Sequence, residues 1–136
     1  SGEYLASGGD DSYLMVWKLS HSAARRLNLP RSSGSVNRLL FTPDELWLFA
    51  ATESGRIYCW DARDLWETAM LPVVPTVWAQ HTYSVEDLAC SANGAWLADG
   101  TDGGRGHLWQ AASSAMLNEY TGEMRAVRSV ALAPEG

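Results

Sequence analysis

The chain has little of what most chemistries require. Its two cysteines, Cys59 and Cys90, stand at no metal-ligand spacing from each other or from a histidine. Both fall inside apparent strands and read as buried free thiols, which suits a reducing, cytoplasmic compartment. No apolar run approaches the roughly 20 residues that span a bilayer. The N-terminus lacks the charged-then-apolar layout of a secretory leader. Positive charge is also scarce: 10 Lys+Arg face 16 Asp+Glu, a formal net charge of −6. That balance argues against a nucleic-acid or anionic-membrane surface. Arg25, Arg26 and Arg31 form the one local basic group and read as a solvated edge.

Catalytic constellations are missing too. "GTDGGRG" (Gly100–Gly106) is glycine-rich, but it has neither the Lys-Ser/Thr of a phosphate loop nor dinucleotide spacing. Asp10-Asp11 is too few oxygens for a calcium loop. His21, His81 and His107 are spread over different segments without metal-ligand spacing. No serine sits in a Gly-x-Ser-x-Gly elbow. The expectation is a protein that is not an enzyme and carries no cofactor or metal.

What the chain does have is repetition. "VNRLLFTPDELWLFAATESGRIYCWD" starts at Val36 and "VEDLACSANGAWLADGTDGGRGHLWQ" starts at Val85. A third copy is split: "VRSVALAPEG" starts at Val127, and "EYLASGGDDSYLMVWK" opens at Glu3. Each copy reads as an alternating strand, a turn, a strand opening with an aromatic and Leu, a short polar turn, and a strand ending in Trp. A fourth strand is expected at Arg26–Leu29, Thr76–Ala79 and Met116–Tyr120. Trp17 and Trp60 are 43 residues apart, and Trp60 and Trp109 are 49 apart. The insertion "DLWETAMLPVVP" (Asp64–Pro75) accounts for the longer interval. Such a period with four strands per unit is that of a propeller blade.

The pattern resembles the WD-repeat β-propellers, whose blades carry a Gly-His pair, a Ser-x-x-x-Asp turn and a terminal Trp-Asp. The resemblance covers essentially the whole chain, strongly in period and patchily in polar residues. Ser7 and Asp11, with Trp17, match the signature in the first copy. Trp-Asp survives only as Trp60-Asp61, and of Ser32, His81 and Glu123 at the Gly-His position only His81 matches. The resemblance implies a structural hydrogen-bond network of Ser7, Asp11 and Trp17 in one blade and His81, Asp102 and Trp109 in another. The second copy, with Ser54 and Ala50 at the equivalent places, is expected to lack it and to rely on apolar packing.

The chain ends are complementary. In the intact copies the second-strand aromatic lies 11 residues after the starting Val, and Tyr4 would take that place if Glu3 followed Gly136. The expected fold is therefore all-β, with three four-stranded antiparallel blades per chain. The first blade would combine 127–136 with 3–30, the second would span 36–80 and the third 85–121. Three blades are fewer than the four to eight of a typical ring. Copies joined head to tail by strand exchange would close one: a homodimer gives six blades and is favoured, a homotrimer gives nine. A longer propeller of which this chain is a piece would show the same ends.

The expected function is a non-catalytic protein–protein interaction scaffold, self-assembled into a ring. The alternatives are a purely structural half-propeller, engineered or an evolutionary model, with no partner but itself, and a small-molecule or glycan site between blades. Trp47 and Trp96 could stack on a sugar, although their repeated position marks them first as packing. Recognition would use the turns at Asp44-Glu45, Glu53-Ser54, Asn93-Gly94 and Asp102–Arg105. The apolar insertion residues Trp66, Met70 and Leu71 form a candidate partner-binding loop.

Overall fold

Alternating apolar runs separated by turns of Gly, Asp and Ser become eleven strands in the computed structural model. It describes residues 2–67, 74–122 and 125–134, without the side chains of 66 and 67. The strands are β1 (Tyr4–Gly8), β2 (Tyr13–Lys18), β3 (Ala23–Asn28), β4 (Val36–Phe41), β5 (Trp47–Thr52), β6 (Arg56–Asp61), β7 (Thr76–Gln80), β8 (Val85–Cys90), β9 (Trp96–Thr101), β10 (Arg105–Gln110) and β11 (Ala115–Thr121). One short helix, α1 (Asp64–Glu67), follows β6. The strands form three antiparallel meanders: β1-β2-β3, β4-β5-β6-β7 and β8-β9-β10-β11. The expected fourth strands are present as β3, β7 and β11.

Side chains alternate across a strand, so each sheet has two faces and its burial pattern shows how many are covered. In β2, Leu14 and Val16 are fully buried and their neighbours are only partly covered, so one face is packed. In β6, Ile57, Tyr58, Cys59 and Trp60 are all buried, because the middle sheet is enclosed on both sides. Every residue of β11 is exposed. Two apolar layers result. Leu14, Val16 and Leu27 of the first sheet meet Leu48, Ala50, Tyr58 and Trp60 of the second. On its opposite face, Phe49, Ala51, Ile57 and Cys59 meet Val85, Leu88 and Leu97 of the third.

The inner strands are also tied by polar contacts. The Asn37 side-chain amide donates to the Val85 carbonyl at 2.9 Å and to Ser84 Oγ at 3.0 Å. The Arg38 guanidinium lies 3.1 Å from the Asp87 carboxylate. Asn37 and Glu86 sit at matching register shifts in β4 and β8, where an extra residue is accommodated.

Residues 127–134 form no ladder strand within the chain, and they do not lie beside β1. They run along the third sheet. The Val127 N–H donates to the Thr101 carbonyl at 2.9 Å, and the Val130 N–H to the Asp87 carboxylate at 3.0 Å. The first contact repeats one made earlier, in which the Val36 N–H donates to the Gly9 carbonyl, also at 2.9 Å. Close approach of backbone to side chain explains a glycine at each junction. A Cβ on Gly8 would stand 2.9 Å from a Val36 methyl, and one on Gly100 would stand 2.7 Å from a Val127 methyl. The C-terminal segment thus sits on the third sheet as β4 sits on the first.

Candidate functional site

The densest polar cluster lies between the second and third sheets and is built on Asp99, which is fully buried in β9. Register places His107 of β10 directly across from Asp99. His107 Nδ1 contacts Asp99 Oδ1 at 2.7 Å. His81, in the connection from β7 to β8, brings Nε2 to within 3.0 Å of Asp99 Oδ2. The Trp109 indole N–H donates to that same oxygen at 2.6 Å. The two imidazoles stack with centroids 4.2 Å apart at 18°. On the outer side, Glu119 Oε2 lies 3.2 Å from His107 Nε2.

Burial alone pushes the Asp99 carboxyl up. The hydrogen bonds from His81 and His107, the electrostatic attraction of His81 and the indole N–H of Trp109 overcome that effect. They hold the group below the usual carboxylate range. A buried carboxylate with each oxygen engaged is a satisfied hub.

Asp99, His81 and His107 are also the donor types that bind metals, and their ligand atoms lie within 4.8 Å of one another. Zinc requires donors converging on one point at about 2.0–2.1 Å. Here the two stacked rings aim along separate lines at separate carboxylate oxygens, and the indole already occupies one of them. The geometry fits a hydrogen-bonded cluster that staples the β7–β8 connection to the third sheet.

His81 and Trp109 do meet, but the carboxylate between them is Asp99. Asp102 instead sits exposed in the β9–β10 turn, where its backbone N–H donates to the Ser84 carbonyl. The physical reason is position along the hairpin. Asp99 lies within β9, buried at the sheet interface. Asp102 lies in the exposed turn, one place earlier in its hairpin than Asp11 in the equal-length first hairpin. A signal was available, since Tyr4-Leu5-Ala6-Ser7 and Trp96-Leu97-Ala98-Asp99 superpose residue for residue. His107 had no such signal.

In the first sheet Ser7, Asp11 and Trp17 are not brought into a chain, and no hydrogen bond joins their side chains among the described residues. Ser7 and Asp11 are exposed, and Trp17 is half-buried. In the second sheet Ala50 stands where Asp99 stands in the third. The Trp60 indole N–H is buried without a hydrogen-bond partner among the described residues. The expectation that this sheet lacks the network agrees with that geometry. The insertion loop Met70 and Leu71 lies outside the described residues, as does the Trp66 side chain. The turn residues Asp44, Glu53, Asn93 and Asp102 are all exposed.

The contrast between the two tryptophans gives a direct expectation. Trp109→Phe removes a donor to a buried carboxylate and should lower stability by about 2 kcal/mol. Trp60→Phe removes an unsatisfied donor and should cost less, although Trp60 is the more deeply buried. Urea midpoints that rank the two variants the other way would contradict this assignment of partners.

Comparisons with known proteins agree with the fold. The family model "WD domain, G-beta repeat" matches residues 1–18, 25–61 and 73–110. A protein LST8 homolog of Drosophila pseudoobscura pseudoobscura is 20% identical over 113 residues, covering 83% of this chain and 34% of that protein. The small ribosomal subunit protein RACK1 of Brassica napus is 38% identical over 60 residues, covering 44% of this chain and 17% of that protein. A chain of a mitotic checkpoint complex crystal structure superposes with a TM-score of 0.79 at 23% identity, covering 99% of this chain and 39% of its own length. This chain therefore spans less than two fifths of the length of each of these proteins. With three sheets of one design and the family model matching most of its length, the chain belongs to the WD-repeat family of β-propeller proteins.

Proposed function

We propose that the chain is a non-catalytic protein-interaction scaffold whose three sheets are completed into a closed ring by a second copy. WD-repeat proteins act as interaction scaffolds, and this chain carries their turns on a rigid strand framework. One observation supports ring completion above all: residues 127–134 occupy the place of a next inner strand on the third sheet, and among the described residues no strand pairs with the second edge of β1. In this reading 127–136 pair with 3–30 of a neighbouring copy to make a four-stranded blade, beside blades 36–80 and 85–121.

Open faces support the same reading. Leu5 is 53% exposed on the side of the first sheet opposite Leu14 and Val16, next to half-buried Met15 and Trp17. Met116 (52%), Leu117 and Tyr120 are exposed on β11 at the other end. Two copies give six blades, inside the usual range of four to eight. Head-to-tail contacts of this kind close when the rotation per copy divides a full turn. The unpaired thiols Cys59 and Cys90 fit a reducing, cytoplasmic setting. Among the described residues no helix is long and apolar enough to cross a membrane.

Light scattering on the purified chain tests the assembly. The expected mass is twice the 14.9 kDa of one chain. Leu5→Asp, which charges the open face without touching the packed one, should yield a folded monomer, as should removal of 127–136. A full chain that is folded and monomeric at micromolar concentration would rule out self-assembly. A stable mass of three chains would replace the six-blade ring by one of nine.

A further inference from the structure

Between the outer ends of the second and third sheets lies a cleft of about 400 Å³ that the Asp99 cluster does not use. Trp47, Phe49 and Trp78 line it, with Asp44 and Thr42 on one side and the Ala111–Ser114 turn on the other. Trp47 is 40% exposed. Trp78 packs edge-on against Phe49, with ring centroids 5.3 Å apart, and against Trp109 at 5.0 Å. Among the described residues no Lys or Arg lines the cleft.

The Asp44 charge has no evident structural purpose. Asp44 Oδ1 accepts from Thr42 Oγ1 at 2.5 Å and from the Leu46 N–H at 3.0 Å, closing the β4–β5 turn. The third sheet builds the matching turn with Asn93, whose Oδ1 accepts from Ser91 Oγ at 2.7 Å and from the Ala95 N–H at 3.0 Å. An uncharged amide does the same structural work there. The Asp44 hydrogen bonds hold its carboxyl below the usual range, and its charge pushes the neighbouring Cys90 thiol up, after burial has done so first. Both the Thr42 and the Leu46 hydrogen bonds fall on the same oxygen, Oδ1.

We propose that this cleft receives the cationic end of a lysine or arginine side chain from a partner protein, held against Trp47 and Trp78 with Asp44 as counter-ion. Indole faces attract cations through their ring quadrupole, and the effect grows as the cation is desolvated. A carboxylate beside an apolar aromatic wall selects a charged head on an alkyl stem over a neutral one of the same shape. Only the source of the cation rests on the scaffold reading. The cleft itself lies within one chain and does not depend on ring closure.

The test is a titration of the full chain with n-butylammonium, n-butanol and N-acetyl-lysine methylamide, followed by the indole N–H resonances of Trp47 and Trp78. Saturable shifts with n-butylammonium are expected, and about ten-fold weaker binding of n-butanol. Asp44→Asn keeps the turn, as Asn93 does, and should weaken n-butylammonium by a similar factor; Trp47→Ala should also weaken it. Equal binding of n-butanol, no saturation, or an unaffected Asp44→Asn variant would overturn the site. Binding of the free amine with exclusion of the capped lysine would overturn the assignment to a protein side chain.

Discussion

Asp99→Ala is expected to destabilise the chain by about 3–5 kcal/mol, a large fraction of the 5–15 kcal/mol typical of a domain. The carboxylate is fully buried and receives His81, His107 and Trp109. Removing it strands those groups facing a cavity without their acceptor. Damage should centre on the β7–β8 connection, since His81 is anchored there chiefly through Asp99. Urea unfolding measures the loss, and amide exchange should show residues 81–84 opening first. A loss under 1 kcal/mol would mean that solvent replaces the carboxylate and that the hub is dispensable.

Acid should act through the same group. The folded-state carboxyl of Asp99 lies below its ordinary value, so the contribution is complete above the unfolded value of about 3.9. It is lost as pH falls through the lowered folded value. Wild-type stability should therefore decline in that acid window more steeply than that of Asp99→Asn, which has no carboxyl to protonate there. Parallel declines for the two proteins would assign the acid sensitivity elsewhere.

Leu48→Ala should cost about 2–5 kcal/mol. Leu48 is fully buried in the layer joining the first sheet to the second. The first sheet has three strands and is packed on one face only within the chain, so that layer is its main hold on the rest. The amides of β1–β3 should accordingly lose exchange protection before those of β8–β10. Uniform loss across all three sheets would indicate a single cooperative unit instead.

Much of this architecture was legible because its causes are local. Strand alternation, the Gly and Asp turns and the Trp closing each third strand recur at a readable period, and the observed strands follow them closely. That the described residues of the second sheet lack this network was legible too, since the Ala50 side chain offers no acceptor. The identity of the carboxylate at His81 was not. Motif spacing pointed to the turn residue Asp102, whereas strand direction and pairing register place Asp99 opposite His107.

The linear order of residues by itself settled that this is an all-β chain of repeated antiparallel units, each with a strand that closes on Trp. Pattern and turn chemistry act over a few neighbours, and they are written directly in the residue types. Tertiary structure alone decided which donors share the buried oxygens of Asp99, where 127–134 rests, and that Trp47, Trp78 and Asp44 border one cleft. Those outcomes depend on distances between side chains far apart in sequence.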